Sequence, residues 1–88
     1  NDMFYTYILK SKICSRHYIG SCEDLDGRLA HHNKGVVKST KPYIPWMIVH
    51  KEQFATRSDA RKRELEIKSY KGGVKFKKLL GYDWEWDK

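Results

Sequence analysis

The sequence has little cysteine, little proline and no long hydrophobic run. Its two cysteines, Cys14 and Cys22, supply no disulfide framework. With His17, His31 and His32 nearby, a zinc site needs testing, but the chain has no C-x2-C or H-x3-H pair, so none is expected. No stretch approaches the roughly 20 apolar residues needed to cross a bilayer. The opening "NDMFYTYILK" has no basic n-region and does not read as a signal peptide. Repeats, linkers and low-complexity tracts are missing too. A soluble, cytoplasmic protein with free thiols and no membrane contact is expected. At 88 residues it should form one domain over 1–88, because so short a chain cannot divide into two cores. Apolar residues make up 40% of it, too many for a disordered chain.

Acidic charge is also scarce. Eleven acidic residues face eighteen basic ones, a net charge of +7. The surplus is uneven. Residues 57–78 hold nine basic and three acidic side chains, whereas 79–88 hold one and three. A basic segment of this kind attracts a polyanion, of which nucleic acid is the commonest, although a lysine-rich face kept for solubility would look the same.

The elements can be placed in order. "MFYTYILKS" is suited on both faces to a largely buried strand, and "HYIGSC" follows after a short polar loop, which implies an antiparallel hairpin. Gly20 within that second strand suggests a bend or the close approach of another group. Asp24 is a good N-cap for a helix with Leu25 and Leu29 on its apolar stripe, and Gly35 is a natural stop. Residues 36–45, with both prolines, read as a loop. "WMIVHKEQF" has the nearly continuous apolar start of a central or doubly covered strand. "TRSDARKRELEIKSYKGG" is a helix capped by Thr56 or Ser58, and "VKFKKLLGY" is a short last helix. The fold class is α+β: a small three-stranded antiparallel sheet flanked by helices, in the order β-β-α-β-α-α, with its core at about 3–80 and a tail over 81–88.

Five positions could carry chemistry, and each has a plainer reading. Arg28 and His32 share one helix face, as two surface side chains could. Glu64 falls within about 60° of Ala60 and Ile67 on a helical wheel, which sets a carboxylate on or beside the buried stripe. An i,i+4 salt bridge to Lys68, worth roughly 0.2–0.5 kcal/mol, would also account for it. Tyr7 and Tyr18 could be core residues with hydrogen-bonded hydroxyls.

Taken together, Tyr5-Thr6-Tyr7, Tyr18-Ile19-Gly20, Arg28-x3-His32-Asn33-x-Gly35 and Ala60-x2-Arg63-Glu64-x3-Lys68 closely resemble the GIY-YIG nuclease superfamily. The likeness covers roughly residues 3–80. It is greatest to the small stand-alone members, whose module is similar to the N-terminal nuclease of the bacterial excision-repair incision protein. "YTY" stands where the name-giving "GIY" would be, and no asparagine follows Asn33, whereas many members carry one near the active site.

The resemblance implies a metal-dependent DNA endonuclease, with a role in repair or recombination. It makes Glu64 the ligand of one divalent ion, Mg²⁺ or Mn²⁺, since a single carboxylate suits an ion that keeps most of its hydration. Arg28 would fork onto the scissile phosphate. Tyr18 would take the proton of the attacking water; a phenol of ordinary pKa about 10 does this poorly unless cations lie near. His32 would partner that tyrosine, and Tyr7 would orient it or contact phosphate. Lys34, Lys38, Lys41, Arg63, Lys68, Lys71, Lys75 and Lys77 are the expected nucleic-acid contacts. DNA is the expected partner, with RNA left open, and substrate choice would fall to a partner protein or a homodimer, for which Trp84 and Trp86 are contact candidates. The competing reading is a non-catalytic nucleic-acid-binding module of the same fold.

Overall fold

Alternating aromatic and β-branched residues build the first strand, β1 (Phe4–Ser11), and a short hairpin returns the chain as β2 (His17–Cys22). The third strand, β3 (Trp46–Phe54), pairs antiparallel with the other side of β1, so the sheet order is β2-β1-β3. The computed structural model describes residues 3–81; Trp84 and Trp86 lie outside them.

The expected place of the third strand needs correction. β3 is an edge strand and β1 is central. The apolar letters of "WMIV" misled, because Met47 is 41% exposed and Ile48 and Val49 are only half-buried. β1 instead buries four successive residues, Thr6 to Leu9, as a strand covered on both faces must.

Alternation along β1 divides the core in two. Tyr7 and Leu9 pack with Cys22, Leu25 and Trp46, under the first helix, α1 (Leu25–Asn33). Ile8 packs with Ile67 and Phe76, from α2 (Arg57–Lys68) and α3 (Val74–Leu79) on the opposite face. The Thr6 hydroxyl ties β1 to α2 by donating to the Ala60 carbonyl at 2.6 Å.

Local signals set the helix ends. Asp24 accepts from the Gly27 amide at 3.1 Å, and Gly35 ends α1 at φ +79°, where a β-carbon would be strained. Thr56, not Ser58, caps α2, by accepting from the Asp59 amide at 3.1 Å. The loop over 36–45 is more ordered than its composition suggests. It contains a 3-10 turn (Lys41–Tyr43) and a buried Thr40, and its far end is fixed by Asn33, whose side chain bonds both the amide and the carbonyl of Trp46.

Gly20 lies directly across from Tyr7 in the hairpin, and a β-carbon there would sit 2.6 Å from the Tyr7 hydroxyl oxygen. The group whose approach the glycine permits is thus the Tyr7 phenol, which lies over β2. Gly20→Ala is expected to lower stability by roughly 1–3 kcal/mol, the usual result of overfilling a packed site. Denaturant melts of the two proteins would measure it.

Candidate active site

β2 is an edge strand, and its alternation offers chemistry to both faces of the sheet. Tyr18 and Gly20 point toward α1, while Ser21 points toward α2. The tyrosines form one cluster on the α1 side. The Tyr7 and Tyr18 ring centroids are 6.4 Å apart, and Tyr18 meets His32 at 4.7 Å with the rings inclined by 57°. Tyr7 is 1% exposed. Burial raises its phenol well above the usual range, with further increases from Tyr18 and Cys22, a decrease from Arg28 and a smaller increase from Glu64. Tyr7 therefore remains a neutral hydroxyl at any working pH, able to orient or donate but not to act as a base.

His32 is as deeply buried, and its Nδ1 lies 2.9 Å from the Thr40 hydroxyl. Burial, then the Arg28 and His31 charges, hold the imidazole below its ordinary pKa, so it is neutral near pH 7. Arg28 sits one turn earlier on α1 and is exposed. It lines an open cleft of about 480 Å³ together with Ser21, Glu23, Asp24, His31 and Arg57.

Glu64 approaches from the other face and meets Ser21, which lines this cleft. Its carboxylate is almost fully buried: Oε1 accepts from the Ser21 hydroxyl at 2.7 Å, and Oε2 from Lys68 Nζ at 2.7 Å and Arg61 Nη1 at 3.3 Å. Burial alone would raise its pKa, but the hydrogen bonds from Lys68 and Ser21 together with the Lys68 and Arg61 charges outweigh it and hold the carboxyl below its ordinary value. A buried, ionised carboxylate results. The salt bridge to Lys68 considered from the sequence is present, and so is the burial that a solvated salt bridge does not require.

Tyr7, Tyr18 and His32 thus lie together, Arg28 borders the adjoining cleft, and Glu64 joins that cleft through Ser21. No group of three or more His, Cys, Asp or Glu side chains that could hold a metal is found among the described residues. The donors at Glu64 are one anionic carboxylate and one hydroxyl. They fit a single hard, mostly hydrated divalent cation, provided that Lys68, whose side chain is 47% exposed, leaves Oε2.

The basic residues divide by what they touch. Arg63 is engaged by Glu52 at 2.9 and 3.0 Å, by Glu66 at 3.1 Å and by the Tyr70 hydroxyl at 3.4 Å, a clasp from α2 to β3 that keeps the guanidinium protonated. Lys68 bonds Glu64. Lys34, Lys38, Lys41, Lys71 and Lys75 are exposed, the last over the Tyr70 ring at 5.7 Å, and Lys77 is half-buried. The sequence reading had missed Ser21, Thr40, Arg57 and Arg61. The two arginines were detectable, because 57, 61, 64 and 68 recur at the spacing of one helix stripe. Ser21 and Thr40 had no comparable signal.

Residues 3–77 match the GIY-YIG catalytic domain family. The chain belongs to this nuclease family. It is 42% identical over 77 residues to a UPF0213 protein of Staphylococcus saprophyticus, covering 86% of this chain and 93% of that one. A UPF0213 protein of Staphylococcus haemolyticus is 38% identical over 76 residues, covering 85% and 92%. The solution NMR structure of a Bacillus halodurans UPF0213 protein is 31% identical, covers 76% of this chain and 71% of that one, and superposes with a TM-score of 0.46.

Proposed function

We propose that this GIY-YIG domain is a metal-dependent endonuclease that hydrolyses DNA phosphodiester bonds by attack of a tyrosine-assisted water, in repair or recombination. The observation that carries the reading is Glu64: a buried carboxylate, held ionised and hydrogen-bonded to Ser21, beside a cleft bordered by Arg28. A surface built only to bind phosphate gains nothing from a fixed negative charge at that point.

In this mechanism the water oxygen bonds to phosphorus as the bond to the leaving sugar oxygen breaks. Arg28 forks onto the non-bridging phosphate oxygens and stabilises the charge that develops there. Tyr18 takes the proton of the water as it passes its own phenolic proton to neutral His32 beside it, and the leaving sugar oxygen takes a proton from solvent. Tyr7 donates its hydroxyl within the cluster. Glu64 would hold one Mg²⁺ or Mn²⁺, which supplies Lewis acidity toward the phosphate.

On this reading the substrate surface extends from the cleft to the arginines of α2. A second hollow of about 550 Å³, lined by Ser21, Arg57, Ser58 and Arg61, adjoins the first and shares Ser21 and Arg57 with it. Neutralising Arg57 and Arg61 to glutamine is expected to weaken DNA binding and to reduce the slope of log K against log salt by up to roughly 2, at about 0.9 per phosphate contact. Anisotropy titrations at several salt concentrations would show it, with the Lys71, Lys75 and Lys78 neutralised variant as the comparison.

One observation favours the competing reading of a binding module: Lys68 and Arg61 already neutralise Glu64. Nicking of supercoiled plasmid separates the two. The endonuclease nicks with Mg²⁺ and not with EDTA; equal results in both would leave only the binding module.

A further inference from the structure

His32 is a buried imidazole with one nitrogen satisfied and the other open. Nδ1 lies 2.9 Å from Thr40 Oγ1, and Nε2 has no hydrogen-bond partner among the described residues. A neutral imidazole carries its proton on one nitrogen only, and the bond made by one nitrogen decides which.

Thr40 bears on that choice. It is 2% exposed, and its hydroxyl donates to the Val37 carbonyl at 3.3 Å. A hydroxyl has a single proton to give, so with that proton on the Val37 carbonyl the Thr40 oxygen accepts from His32, and Nδ1 carries the hydrogen. The reverse assignment would bury an N–H at Nε2 with nothing to receive it, which is costlier than an open lone pair. Thr40 is itself fixed, since its carbonyl accepts from Trp46 Nε1 at 3.0 Å and its amide donates to Val37 at 3.2 Å. Asn33, next to His32, grips the Trp46 backbone from the other side. The loop over 36–45 therefore closes behind the imidazole as a clamp.

We propose that Thr40 is a positioning residue that holds His32 as the Nδ1–H tautomer, so that Nε2 offers a lone pair beside Tyr18. The ring centroids there are 4.7 Å apart, and the buried, unpartnered nitrogen suits the Tyr18 phenol as its hydroxyl donor. The effect on rate rests on the nuclease reading; the tautomer does not.

Ring-nitrogen shifts of His32, read by long-range proton–nitrogen correlation in the full chain, test this alongside single-turnover plasmid cleavage. Wild type is expected to show Nδ1–H. Thr40→Val is expected to move His32 toward Nε2–H and to slow cleavage roughly 10–100-fold, the range found when the partner that orients a functional imidazole is lost. Thr40→Ser keeps the hydroxyl and should retain both properties. A wild-type spectrum with Nε2 protonated overturns the proposal, and this result stands even if Thr40→Val does not fold. Thr40→Val that retains Nδ1–H, or that changes tautomer and still cuts at the wild-type rate, overturns it equally. An Nδ1–H spectrum in a protein that cuts no DNA would uphold the Thr40 assignment and overturn the nuclease reading.

Discussion

Glu64→Gln is expected to abolish Mg²⁺-dependent cleavage, by at least roughly 10²–10³-fold, while DNA binding stays equal or tightens. Glutamine preserves the shape of the side chain, and its carbonyl oxygen can still accept from Ser21, now at 2.7 Å from Oε1. What disappears is the anionic oxygen that Lys68 and Arg61 now neutralise and that a divalent cation would take over. Both pairs reach an exposed basic side chain, so little stability should go with them. Losing a negative charge beside the cleft also removes repulsion from phosphate. Single-turnover cleavage and anisotropy binding on the same preparation give both numbers. A variant that cuts near the wild-type rate would reduce Glu64 to a helix salt-bridge residue.

Tyr18→Phe should cost almost as much, because it removes one oxygen from the cluster and little else. A positioned base contributes roughly 10²–10⁴-fold in rate, and a loss of that size at neutral pH is expected with folding, metal binding and DNA binding intact. The half-buried ring remains against His32, so its packing survives the change. Tyr7→Phe should be milder in rate, since burial keeps that phenol protonated and confines it to donating or orienting. If both tyrosines are only core residues, each substitution shifts the melting temperature slightly and leaves turnover alone. Rates for the two variants at saturating DNA distinguish these outcomes.

Much of this molecule was legible from local pattern. Asp24 and Thr56 announced their helices because capping is a short-range interaction, and both make the expected bond. Glu64 was legible as a carboxylate on the buried stripe because helix geometry alone places it with Ala60 and Ile67, and all three are buried. Gly20 signalled a close approach, though only the hairpin register identified Tyr7 as the group approaching. The strand order was not legible, because "WMIV" looks central by composition while burial is decided by what covers each face. Nor was the role of Arg63. Its clasp on Glu52 joins a helix to a strand eleven residues earlier, and no spacing rule encodes such a pair. Thr40 lay in what read as a polar loop, and only the fold shows it buried behind His32.

Manganese titration of the nitrogen-15-labelled protein, followed by line broadening in its amide spectra, tests most directly whether Glu64 exchanges Lys68 for a divalent cation. It needs no knowledge of the preferred DNA. Broadening should centre on Glu64, Ser21, Arg61 and Lys68 and should vanish in Glu64→Gln. Broadening centred elsewhere, or unchanged by that substitution, would contradict a metal site at Glu64.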